Sequence, residues 1–142
     1  MEEIKFHVEG LPPKKNGANS MWGNEQESER LVKLRKKALA KMVGYDIMKR
    51  NIHLTIEVCV GTKNDRSVGD LDTFVTGVCD GLMKATPQCK FCKKVWEAPE
   101  NQDVRPELPI AIDDDSQVIG IQAAKITDAA GRQFYEVTLD GE

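Results

Sequence analysis

The 142-residue sequence holds no apolar run long enough to span a bilayer, so no membrane-spanning helix is expected and no membrane partner is implied. Its opening residues, MEEIKFHVEG, are acidic and lack the apolar stretch of a secretory leader, which makes the expectation a cytoplasmic protein. No long Gly/Ser/Pro linker and no internal repeat divide the chain. Residues 1–142 therefore read as a single domain, large enough for a core of its own. Cysteine is scarce: Cys59, Cys79, Cys89 and Cys92 are not spaced as a disulfide framework, and a reducing compartment keeps them as thiols. Cys89 and Cys92 form one CxxC in QCKFCKK, but neither His7, His53 nor the other cysteines supply the second close pair of a structural zinc site. Free thiols in a solvated insertion are the expectation there. An excess of positive charge is missing too, since the formal net charge is −3.

What the total lacks, the distribution partly restores. Between positions 30 and 50 stand Arg30, Lys33, Arg35, Lys36, Lys37, Lys41, Lys49 and Arg50 against Asp46 alone, and Lys14 and Lys15 form a second basic group. A basic face of this kind suits phosphate contacts, so Lys14, Lys15, Arg35, Lys36, Lys37 and Lys41 are the candidate DNA-binding residues. A merely solvated helix face is the competing reading.

Periodicity places the elements. Ile4, Phe6 and Val8 alternate with Lys5, His7 and Glu9, as in a half-buried strand, and LPPKKNGANSMWG after them is a loop. From about Glu25 to Met48 the recurrence of Leu31, Leu34, Ala38 and Met42 predicts a long amphipathic helix with a basic outer face. Ile52, Leu54, Ile56, Val58 and Val60 predict the clearest strand, with an exit loop to position 69. Leu71, Phe74, Val75, Val78 and Leu82 predict a second helix from Asp70 to about Lys84, weakened by Gly77 and Gly81. Positions 85–109, with four prolines and the CxxC, look like an irregular insertion. The segments IAI, SQVIGIQAAKIT and RQFYEVTL read as strands, the last two joined at DAAG as a hairpin. The expected fold is α+β: a small, mostly antiparallel or mixed sheet packed against two helices. Trp22 and Trp96 are expected to anchor loops, and His7 and His53, on the polar registers of their strands, to be structural.

The acids are placed less blandly. Asp70 and Asp72 sit where a helix start favours negative charge, which explains either one alone. Asp80 follows Asp72 by two turns, and Asp113, Asp114 and Asp115 end an apolar strand. If the fold gathers these carboxylates they repel one another unless protons or a hard divalent cation offset them. A metal site and a set of caps and turn acids both remain open at this point.

The stretch DLDTFVTGVCDGL followed by DDSQV resembles the RusA family of Holliday-junction resolvases, in which Asp-x-Asp-Asn opens a helix and Asp-Asp-x-Gln follows a strand; GLPPKKN resembles the family's Pro-rich amino-terminal segment. The resemblance covers most of the chain outside 85–109. It implies a RusA-like fold, a homodimer, branched DNA as substrate, and Mg2+-dependent paired cleavage of a four-way junction. It implies catalytic roles for Asp70, Asp72 and Asp115, metal ligation by Asp70, Asp72, Asp114 and Asp115, structural support from Asp80, and an orienting role for Gln117. Two positions depart from the pattern. Thr73 stands for the family's Asn, and Thr76 for a lysine of its catalytic set. Threonine carries no charge to stabilise a phosphate, although Lys84, Lys14 or Lys15 can supply one. A weakened enzyme that binds branched DNA without cutting it, and an assembly protein with no nuclease activity, are the alternatives.

Overall fold

The computed structural model describes residues 2–15, 21–61, 70–86 and 89–142, with the backbone alone at Glu2. Four strands form one sheet: β1 (Glu2–Glu9), β2 (Ile52–Gly61), β3 (Val118–Asp128) and β4 (Phe134–Gly141), in the order β1-β4-β2-β3. β4 runs antiparallel to both β1 and β2, whereas β3 runs parallel to β2, so the sheet is mixed. The alternation read in the sequence is the reason one face is apolar. Phe6, Val8, Leu54, Ile56, Val58, Val137 and Leu139 are buried on it, while His7, Glu9, His53 and Glu57 face solvent on the other.

Helices α1 (Glu25–Lys41) and α2 (Leu71–Gly81) cover the apolar face. Asn24 caps α1 by accepting a 2.9 Å bond from the Glu27 amide. The stripe of Leu31, Leu34, Ala38 and Met42 is buried, but the helix stops at Lys41 rather than near Met48. Past Met42 the apolar stripe lapses into exposed Val43 and Tyr45, and Gly44 adopts φ +86°, which a helix cannot continue through. Likewise α2 ends at Gly81, with Leu82 as its C-cap.

Two strand expectations need correction. β3 and β4 do not form a hairpin: β2 lies between them and bonds to both, which a pattern of adjacent strands in sequence cannot reveal. The apolar run Ile110–Ile112 contributes only a single bridge, Ile112 to Met48. It is buried nonetheless, because the Ile110 and Ala111 amides donate to the Leu82 carbonyl (3.1 and 3.0 Å) at the end of α2. The exit loop expected at 62–69 lies outside the described residues.

The segment 85–109 is better built than an irregular insertion. Its described part contains a one-turn helix α3 (Lys93–Trp96) and a 3-10 helix at Pro99–Val104. Val95 and Trp96 join Met21, Trp22 and Leu31 of α1 in a second apolar cluster, against which Cys89 and Cys92 pack half-buried as free thiols. The Trp96 indole donates to the Trp22 carbonyl (3.0 Å) and the Ser28 hydroxyl (3.1 Å), so both tryptophans anchor loops, as their sequence context predicts.

Arg35 is the main correction to the basic face. It falls on the buried stripe beside Leu34 and is fully buried. Its Nε donates to the Val104 carbonyl (2.8 Å), Nη1 to those of Gly81 (2.7 Å) and Met83 (2.9 Å), and Nη2 to those of Arg105 (2.9 Å) and Leu108 (2.5 Å). All five donors of the guanidinium are consumed by the chain itself. Arg35 is a staple that ties α1 to the carboxyl ends of α2 and the 3-10 helix, where free carbonyls favour a cation, and it offers nothing to DNA. Burial lowers its pKa to about 9, against a raising influence from Glu107, so it stays charged at neutral pH.

Candidate functional site

Three segments converge at the carboxyl end of α2. The first is α2 itself, where Asp72, Thr76 and Asp80 recur every four residues on one side of the helix. Asp80 is half-buried; Asp72 and Thr76 are exposed, and the Thr76 hydroxyl donates to the Asp72 carbonyl (3.0 Å). The second is the acidic turn Asp113–Asp115, which the buried Ile110–Ile112 run delivers to the start of β3.

Gln117 fixes that turn. Its side-chain oxygen accepts from the Asp113 (2.9 Å) and Asp114 (2.7 Å) amides, and its nitrogen donates to the Met48 and Arg50 carbonyls, both at 2.8 Å. Gln117 thus orients the backbone that carries the acids. Ser116 donates to the Asp114 carboxylate (2.8 Å), which lowers the pKa of Asp114. Asp115 is raised, first by its hydrogen bond with Asp114, then by desolvation and by the negative charges of Asp114 and Asp80.

The third segment is the loop after β1. It crosses α2 at Gly77, where a side chain would collide with the Pro13 carbonyl. The Lys14 amide donates to the Glu27 carboxylate of α1 (2.9 Å), holding the loop from the other side. The next residue, Lys15, places its ammonium 2.7 Å from the Asp80 carboxylate. That bond, and then the charges of Asp80 and Asp115, raise the Lys15 pKa. Gly81 permits a similarly close approach between α2 and α1, since a Cβ there would stand 2.7 Å from Leu34 Cδ2 and 2.9 Å from Leu31 Cδ2.

Asp80 and Asp115 both line two adjoining clefts. One, of about 380 Å³, is walled by Met21, Trp22, Met83 and Ala85 and rimmed by Lys15, Lys84 and Asp113–Asp115. The other, of about 410 Å³, is walled by Val75, Thr76, Cys79, Ser116, Val118 and Ile121. The arrangement is an open acidic corner with a lysine held in it, able to attract a hard cation and to contact an anionic group at the same place.

The other candidates fall as follows. Asp70 is the exposed N-cap residue of α2 and Asp72 lies exposed in its first turn; the carboxylates of both make no hydrogen bond or ion pair among the described residues. Among the described residues no three His, Cys, Asp or Glu side chains are grouped to hold one metal ion, so Asp70, Asp72, Asp114 and Asp115 are not gathered into a closed ligand set. Lys36 pairs with Asp103 (3.2 Å) and the Glu100 carbonyl (2.6 Å), while Lys37 and Lys41 are exposed. Sequence reasoning gave Asp80 a supporting role, and named Lys15 as a candidate DNA-binding residue and one possible replacement cation, without pairing the two. The four-residue spacing from Asp72 through Thr76 was the signal that put Asp80 on the site's face. Neither a protein-family model nor a curated protein matches this chain.

Proposed function

We propose that the chain is a divalent-cation-dependent endonuclease acting on branched DNA, as its resemblance to the RusA resolvases implies, with its reacting phosphate bound at the Asp80–Asp115 corner. The observation that carries this reading is the meeting of Lys15, Asp80 and Asp115, three residues from separate parts of the chain, at one open cleft. Thr76 leaves α2 without the cation that the resemblance calls for. Lys15, delivered across Gly77, supplies one from the loop.

The residues fit a magnesium ion. Asp114 and Asp80 place negative charge beside Asp115, a repulsion that a cation would relieve, and magnesium needs only one or two carboxylates beside its waters and the substrate phosphate. Asp115 and Asp114 would hold it, and such an ion would supply Lewis acidity toward a phosphodiester. Lys15, kept charged by Asp80, neutralises the charge that grows on the phosphate oxygens as the bond breaks. Gln117 keeps the acidic turn in register, and the apolar wall of Met21, Trp22 and Met83 limits water on one side of the cleft. A homodimer, also implied by the resemblance, would present two such corners to the two strands of a junction.

The test is strand cleavage of a labelled synthetic four-way junction, with linear duplex as control, in magnesium and in chelator. Magnesium-dependent paired nicks confined to the junction are expected. Lys15→Met and Asp115→Asn should each lower the nicking rate by about 10²–10³ with unchanged thermal melts. Wild-type rates in both variants would refute the assignment. Tight junction binding without cleavage would instead favour the weakened binding protein, the reading that Thr76 supports.

A further inference from the structure

Several cations among the described residues are occupied by the chain itself. Lys15 pairs with Asp80, Arg30 with Glu27, Lys36 with Asp103, Lys94 with Glu25, Arg105 with Glu107 and Arg132 with Asp128. Lys33, Lys37 and Lys41 are different. They recur every four residues on α1, are all exposed, and make no ion pair among the described residues. Their spacing sets one ammonium about every 6 Å along the helix. They lie on the flank of α1 that faces the outer edge of β1. Lys33 Nζ reaches to 3.9 Å from where a Cβ on Gly10, just past β1, would stand, and Lys37 and Lys41 line a groove of about 610 Å³ with Lys5, Phe6 and His7. The acid on that groove, Glu136, is already shared with Lys5 at 3.9 Å.

We propose that this row of lysines, with Lys5 below it, is a phosphate-backbone rail that grips nucleic acid away from the acidic corner. β1 and β3 are opposite edges of the sheet, and three strand spacings separate them by about 14 Å. Like-charged residues held in a row repel one another, and a polyanion relieves that repulsion while releasing its counterions. Because the rail reads charge and not base identity, it grips branched and linear DNA alike.

The rail concerns binding alone, so its test is made in chelator, where cleavage plays no part. Affinity for a four-way junction and for linear duplex is measured by fluorescence anisotropy between 50 and 200 mM salt, for wild type and for a variant carrying Lys33→Gln, Lys37→Gln and Lys41→Gln. The variant should bind both DNAs at least tenfold more weakly at the lower salt, with its log-affinity against log-salt slope reduced by about two to three. Lys36→Gln, on the same helix but paired with Asp103, should match wild type. Equal affinity and slope in the triple variant would overturn the rail even if the protein cuts junctions. Lysine-dependent binding to phosphatidylserine vesicles without any DNA binding would overturn it as well, in favour of a lipid surface. A weaker triple variant in a protein that never cleaves would uphold the rail and refute only the nuclease reading.

Discussion

Replacing Arg35 by methionine should destabilise the fold severely while leaving DNA affinity untouched. The guanidinium satisfies five carbonyls, and two of those bonds, to Val104 and Gly81, are wholly buried. Stranding a buried carbonyl costs about 1–3 kcal/mol, so these two alone amount to about 2–6 kcal/mol. The three partly buried carbonyls, of Met83, Arg105 and Leu108, can turn to water and add less. Methionine recovers part of the loss because the site no longer has to desolvate a charge. The net expectation is about 3–5 kcal/mol, a large share of the 5–15 kcal/mol that typically holds a domain folded. At a urea dependence of about 2 kcal/mol per molar, the midpoint of unfolding should fall by roughly 2 M. Arg35→Lys should fall in between, since an ammonium has three donors and no planar fork. Tryptophan fluorescence in a urea titration is the assay of choice, because the guanidinium lies 5.1 Å from the Trp22 ring and reports on its loss locally. Unfolding of Arg35→Met within about 0.5 kcal/mol of wild type, well inside the range for an ordinary surface change, would refute the staple. Unchanged stability with weakened DNA binding would return Arg35 to the role its charge suggests.

Two further substitutions test the core and the approach to the site. Tyr135 is fully buried, its hydroxyl has no hydrogen-bond partner among the described residues, and burial drives its pKa well up; Tyr135→Phe should therefore leave thermal stability unchanged or raise it by about 1 kcal/mol, and a loss of more than that would mean the hydroxyl has a partner. Gly77→Ala forces the Pro13 backbone away from α2 and should cost about 1–3 kcal/mol, and it should also lower the junction-nicking rate toward that of Lys15→Met by displacing the lysine; full activity in a destabilised Gly77→Ala protein would show that the loop crossing does not position Lys15.

The elements that periodicity reads well are those whose partners do not matter to the pattern. β2 alternates because it has one buried face, and α1 and α2 carry stripes because each covers the sheet, so all three were legible. Order within the sheet was not, since β3 and β4 follow one another in sequence yet admit β2 between them. The end of α1 was set too late, because past Met42 the helical stripe lapses at Val43 and Gly44 turns left-handed. Arg35 misled by its charge, although its position in the Leu31, Leu34, Ala38 stripe already put it inside. Gly77 and Gly81 looked like weak points of a helix, whereas each marks a place where another segment must come close. For the site itself, the spacing of Asp72, Thr76 and Asp80 was readable locally, but the pairing of Lys15 with Asp80 is purely tertiary. A charged residue is therefore best read by its phase on the element before its sign. Phase sends Arg35 to the core and leaves Lys33, Lys37 and Lys41 in a row, and no net charge of −3 could have separated those two fates.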